Sequence, residues 1–159
     1  MTARGLTPEQ RFWLKVDRTE GCWLWTGALD SWKYGQIRIA GHNVLVHRFS
    51  YALHVGPIPE GMTVDHRIDC PKHCVNPAHL RLATIKQQQE NRGAQANSKS
   101  GVRGVYHRKD RDRWAAQVRH HGKCITVGYF KTRAEAEAAV VAKRIEVFTH
   151  NDGDRLARA

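Results

Sequence analysis

The segment Val64–Leu80, VDHRIDCPKHCVNPAHL, limits what this chain can fold into more than any other part of it. Cys70-x3-Cys74-x4-His79 puts two thiols and an imidazole within ten residues, a soft donor set that suits zinc. A structural zinc takes four ligands, so a fourth donor must come from elsewhere. Cys22, in Gly21-Cys22-Trp23-Leu24-Trp25, is the candidate, because the remaining cysteine, Cys124, falls in what reads as a separate module. The competing readings are free thiols packed as small apolar side chains, and a disulfide, which the lack of a secretory signal disfavours.

The same segment carries a second chemistry. Asp65-His66 closes an apolar run (Met62, Val64) that reads as a strand. A hard carboxylate oxygen suits a magnesium-type ion, while a neutral imidazole can take a proton from water. The imidazole must be oriented by an amide or a backbone carbonyl, and Asn76 is the expected partner. The bland alternative is a surface pair between Asp65 and His66 or Arg67.

The surrounding order is more specific than the dipeptide. Val46-His47-Arg48-Phe49-Ser50-Tyr51 comes first, then Gly56-Pro57-Ile58-Pro59-Glu60-Gly61 and Val64-Asp65-His66. Cys74-Val75-Asn76-Pro77-Ala78-His79-Leu80, Leu82-Ala83-Thr84 and Glu90-Asn91-Arg92 complete it. From about Cys22 to Arg92 this resembles the HNH nucleases of the phage and intron homing type, whose ββα-metal unit often carries a zinc knuckle. The resemblance implies His66 as general base, Asp65 as ligand of one catalytic Mg2+ or Mn2+, and Asn76 as a third catalytic-site residue. It also implies a second ligand on the following helix. The family position for that ligand falls on Gln88, with Asn91 the nearest asparagine; Gln is the rarer ligand, and both remain candidates. His47 reads as an assisting residue or as structure.

With 159 residues, the chain suits one medium domain or two small ones. Its net charge of +11 favours a polyanionic partner, and the excess is spread on both sides of Arg92. No apolar run approaches a membrane span, so membrane binding is not expected. Thr7-Pro8-Glu9-Gln10 reads as a capped helix start. Strand text then runs to Val46, with a hairpin turn at Gly41-His42-Asn43 and Trp23 and Trp25 as core. The next stretch, 47–55, reads as a helix with Phe49, Ala52 and Leu53 inward. The helix after the catalytic loop is expected to carry Arg81, Lys86 and Arg92 as a basic side. Lys33, Arg38 and Arg48 are the other phosphate contacts expected from this half.

Gly93–Ser100 is small and polar, a linker. Three strands follow, near Val102–Arg108, Trp114–Arg119 and Lys123–Phe130. A helix opened by Thr132 and Glu135 comes next, with Ala134, Ala138, Val141, Ile145 and Phe148 as its expected apolar stripe. Arg103-Gly104-Val105, Arg108, Trp114-Ala115-Ala116-Gln117-Val118-Arg119, Val127-Gly128-Tyr129-Phe130 and Ala134-x-x-Ala-x-x-Ala resemble the ethylene-response-factor (Apetala-type) DNA-binding domain. That resemblance implies a sheet lying in the major groove with Arg103, Arg108, Arg113, Trp114 and Arg119 as readers.

The expected fold is therefore α+β. An HNH module spans 1–92, a linker 93–100, a three-stranded antiparallel sheet packed on one helix 101–150, and a frayed tail 151–159. The expected function is a metal-dependent endonuclease on double-stranded DNA, with structural zinc, acting in the cytoplasm of a phage- or mobile-element-bearing bacterial host. A monomer on an asymmetric site is expected, with a dimer left open. The alternative is a non-catalytic DNA-binding protein that keeps the fold as a zinc scaffold.

Overall fold

The computed structural model describes residues 5–67 and 70–156. The chain divides into two compact units, Met1–Ile85 and Lys86–Ala159. This division falls after Ile85, seven residues before the expected end of the HNH module at Arg92. The residues expected to end the first module are held by hydrogen bonds to the second half of the chain, as described below.

In the N-terminal unit, α1 (Pro8–Trp13) starts at Thr7, whose side chain and that of Gln10 cap each other's backbone N–H. Phe12 is fully buried and packs on Trp25 and Phe49, with ring centroids 5.9 and 5.3 Å away. The short strands β1 (Val16–Arg18) and β2 (Trp23–Trp25) pair antiparallel. Between Trp13 and Trp23 sits the Arg18 guanidinium, 4.1 and 4.4 Å from the ring centroids, a favourable cation–π arrangement. Trp23 and Trp25 are core residues, as their sequence context suggests.

β3 (Gln36–Ile39) and β4 (His42–Leu45) form a hairpin. Its turn is Ala40-Gly41, both at positive φ, one step earlier than expected. The primed turn matches the twist of the strands. α2 (Val46–His54) buries Val46, His47, Ser50 and Tyr51, while Ala52 and Leu53 are exposed. The inward face therefore carries two polar residues, which a hydrophobicity count places outside. Ser50 is buried because its hydroxyl donates to the Val75 carbonyl at 2.5 Å.

β5 (Met62–His66) and β6 (Leu80–Thr84) pair antiparallel with Asp65 opposite Arg81. A 3-10 turn, Pro77–His79, leads into β6. Arg81 therefore lies on a strand and not on the following helix. α3 (Ile85–Glu90) starts directly after β6; Asn91 and Arg92 come after its last residue.

The C-terminal unit has a sheet of order β7-β8-β9, formed by Val105–Arg108, Arg113–His120 and Lys123–Phe130. Against it packs α4 (Arg133–Val147), capped reciprocally by Thr132 and Glu135. The face of α4 turned to the sheet is Ala136, Val140 and Arg144, leading to Phe148, while Ala134 and Ala138 are exposed. Arg144 misleads the pattern because it is a charged residue only 8% exposed. Its guanidinium forks onto Asp154 at 2.6 and 2.7 Å and donates to the Arg103 carbonyl at 2.6 Å, so its charge is paired. Asp154 belongs to α5 (Asp152–Leu156), so the described part of the expected tail is ordered and pinned.

Gly104 sits at φ 83°, and a Cβ there would run into the Gln117 carbonyl oxygen. Gly122, at φ 76°, faces open space. Gly104→Ala is expected to destabilise the C-terminal unit by about 2–4 kcal/mol through strain and overlap, against about 1 kcal/mol for Gly122→Ala, where strain alone acts. Urea unfolding of the two variants measures the difference.

Candidate metal centre and active site

Cys22, Cys70, Cys74 and His79 bring their ligand atoms within 4.8 Å of one another. Cys22 precedes β2, both other cysteines lie in the loop after β5, and His79 closes the 3-10 turn. The three sulphur–nitrogen distances to His79 Nδ1 are 3.5, 3.5 and 3.7 Å, and the Cys22 and Cys70 sulphurs are 3.5 Å apart. A tetrahedral zinc with Zn–S near ~2.3 Å and Zn–N near ~2.0 Å has donor–donor edges of about 3.5–3.8 Å. The donor set and its spacing therefore fit zinc. Burial, then the adjoining Cys74 and Cys22 thiols, push the Cys70 thiol far above the ordinary range, and burial chiefly raises Cys22. Thiols so crowded resist ionisation unless a cation compensates the charge.

The backbone explains why the donors converge. Trp25 N–H donates to the His73 carbonyl at 2.9 Å and Val75 N–H to the Trp23 carbonyl at 2.7 Å, so the Cys loop is laced along β2. Asn76 accepts from the Ala78 N–H at 3.0 Å and donates to the Gly21 carbonyl at 2.7 Å. One amide thus caps the turn that carries His79 and holds the residue beside Cys22. Asn76 was expected to orient His66, and the structure corrects this: both ends of its amide serve the metal loop.

The group that orients His66 is the Cys74 carbonyl, 2.9 Å from Nε2. A carbonyl only accepts, so Nε2 carries the proton and the bare nitrogen of the neutral ring is Nδ1. Burial lowers the His66 pKa, outweighing the carbonyl and Asp65, which act in the opposite direction. His47, 3% exposed, stacks beside it with ring centroids 4.9 Å apart. Burial first, then His66 and Arg48, push His47 down to about 3. Among the described residues its Nδ1 has no hydrogen-bond partner. Tyr34 lies against both rings, at 5.4 and 6.2 Å. The base is therefore walled by neutral rings.

Asp65 is next to His66 and makes an ion pair with Arg81 at 3.6 Å. Arg81, expected on DNA, is thus committed to a carboxylate across the strand pair. Leu80 and Leu82 alternating around it were the available signal. Gln88 is half-buried on α3, and Asn91 lies in the turn that follows; both belong to the C-terminal unit.

Other expected DNA contacts divide by environment. Arg38, Arg92, Arg113 and Arg119 are exposed, and Arg48 is half-buried. Arg108 forks onto Asp110 at 3.1 and 2.6 Å. Trp114 packs on the side of the sheet facing α4, its ring 5.0 Å from that of His107. It is half-buried against the cluster under α4, so packing already engages the ring expected among the readers. The opposite face carries Tyr106 and Tyr129, exposed and both in register with Ala115; sequence reasoning passed over them because alternation was not phased. Arg103 is committed internally, donating from one nitrogen to the carbonyls of Gln89, Glu90 and Arg92 at 2.9, 2.9 and 2.8 Å.

Asp65-His66, the Cys loop and β6 coincide with the stretch matched by a family model described as HNH endonuclease. Residues 44–90 match the HNH endonuclease family. The chain has phage relatives: it is 40% identical to Protein 7.7 of Escherichia phage T7 over 72 residues, 45% of this chain and 55% of that protein. It is 33% identical to Protein 2.8 of the same phage over 87 residues, 54% of this chain and 58% of that protein. The chain thus spans a little over half the length of these relatives. No solved structure matches it. No described helix is long and apolar enough to cross a membrane.

Elemental analysis of the purified chain is expected to find about one zinc per molecule. Cys74→Ser should lose it and open the N-terminal unit, whereas Cys124→Ser, an exposed thiol outside the cluster, should leave the stoichiometry unchanged. Zinc-free protein with an intact near-ultraviolet tryptophan spectrum would remove the site.

Proposed function

We propose that the protein is a metal-dependent endonuclease that hydrolyses phosphodiester bonds of double-stranded DNA. The observation that carries this reading is His66, held through Nε2 by the Cys74 carbonyl so that Nδ1 is a bare, neutral base beside Asp65. Nδ1 accepts the proton of an attacking water, and the hydrophobic rings around it keep the base uncharged until then. Asp65 and either Gln88 or Asn91 would hold a divalent cation. Bound there, Mg2+ or Mn2+ would supply charge stabilisation for the scissile phosphate and the departing oxygen. The Cys3His cluster would hold zinc and keep the loop that orients His66 in shape.

The sequence motifs over the three-stranded sheet resemble the ethylene-response-factor type, which would give the C-terminal unit a DNA-reading role. With Arg103 and Trp114 engaged internally, the exposed candidates on β8 are Arg113 and Arg119, with Arg108 available on exchange of its Asp110 partner. The net charge of +11 supports a phosphate-dominated affinity. The site of action would be the cytoplasm of a bacterial host, in keeping with the phage relatives.

A non-catalytic DNA-binding protein is the second reading, favoured by the Asp65–Arg81 pair and by Gln88 in the usual ligand position. Plasmid cleavage separates the two. We expect nicking or linearisation with Mg2+ or Mn2+ and none with chelator. His66→Ala should reduce the rate by about 10²–10⁴-fold with duplex affinity retained. Plasmid left intact under every metal condition, with tight binding, selects the second reading. Affinity for duplex should fall steeply between 50 and 200 mM salt, by roughly 10³-fold or more if six or more phosphates are neutralised; a flat salt response in a filter-binding titration contradicts the electrostatic account.

A further inference from the structure

α3 is six residues long, too short to hold its shape alone in water, and its closing carbonyls need donors. Arg103 supplies them. A single guanidinium nitrogen reaches the Gln89, Glu90 and Arg92 carbonyls, on both sides of Asn91. The cation is also well placed at the negative end of a helix. Glu90 forms the second half of the grip. Its carboxylate, 5% exposed, accepts from the Thr149 N–H at 2.9 Å, the His150 N–H at 3.2 Å and the Lys86 ammonium at 2.7 Å. Arg103 is fixed in turn, because its carbonyl accepts from Arg144, which is locked onto Asp154. All these groups lie in one compact unit.

We infer that Arg103 and Glu90 are positioning residues for α3 and the turn after it, the stretch that carries Gln88 and Asn91, the candidate second ligands of the catalytic cation. This rests on the nuclease reading above. Arg103 acts on the backbone around Asn91 and on the last turn after Gln88; Glu90 ties that turn to the residues following α4. A ligand on so short a helix is held only as well as the groups behind it.

The test uses the full chain loaded with zinc. Hydrogen exchange over residues 86–92 and Mn2+ binding followed by electron paramagnetic resonance are compared in the wild type, Arg103→Ala, Arg103→Lys and Glu90→Gln. Arg103→Ala should speed exchange over this stretch by about tenfold and weaken Mn2+ binding by about fivefold or more. Its duplex affinity should change by less than about threefold, since the group makes no phosphate contact. Arg103→Lys should recover part of both effects, and Glu90→Gln, which keeps shape and drops charge, should shift both the same way. Circular dichroism separates a local loosening from failure to fold.

Unchanged exchange in Arg103→Ala overturns the clamp. Faster exchange with unchanged Mn2+ affinity overturns its connection to the ion. Lost duplex affinity with unchanged exchange makes Arg103 a phosphate contact instead. A wild-type chain that binds no Mn2+ yet shows the exchange difference sinks the nuclease reading and spares the clamp.

Discussion

Cys74 is the residue on which the candidate site depends, because its two ends serve different chemistries. Its thiol, fully buried, belongs to the Cys3His cluster, and its carbonyl accepts from His66 Nε2. A metal-bound sulphur would fix the position of that backbone, and the backbone fixes which imidazole nitrogen is bare. The Cys3His cluster and the candidate general base are thus one mechanical unit. Displacing the loop by a fraction of a hydrogen-bond length would loosen the base as well as the ligand cage.

The rest of the N-terminal unit is built to keep that loop still. β2 pairs with the loop on one edge, Asn76 ties it to Gly21, and Ser50 on α2 binds the carbonyl of the next residue, Val75. Beneath them Phe12, Trp25 and Val46 form a tight apolar floor. A unit this small buries a limited apolar area, so side-chain-to-backbone bonds do much of the holding, and an ion in the Cys3His cluster would add to it. This also explains why α2 turns Ser50 and His47 inward, against the usual preference of polar residues for water.

The C-terminal unit follows the same economy with charged residues. Arg144 lies on the inner face of α4 and Glu90 at the end of α3, each buried and each multiply hydrogen-bonded. Burial opposes the charge on Glu90, but Lys86 and the backbone N–H groups of Thr149 and His150 outweigh it and hold its pKa below the usual carboxylate value. Arginines that read as a DNA-facing set when counted along the sequence therefore split into two populations. Arg81, Arg103 and Arg144 are internal, while Arg38, Arg92, Arg113 and Arg119 face solvent. The HNH segment, 44–90, itself crosses the boundary between the two units.

The sequence alone determined what local chemistry dictates. Cysteine and histidine spacing picked out Cys70, Cys74 and His79, and setting aside Cys124 left Cys22 as the fourth candidate; the four lie together. Capping residues placed α1 and α4, and alternation placed β5 and β7–β9. Only the tertiary structure decided which group answers which. The partner of His66 is a backbone carbonyl, which leaves no trace in residue identity, and Asn76 offers the same amide to a different acceptor. The inner faces of α2 and α4 were misjudged because a buried Ser50 or Arg144 is stabilised by a partner far along the chain. Polarity along a helix reports the cost of burial, and the bond that offsets the cost exists only once the chain is folded.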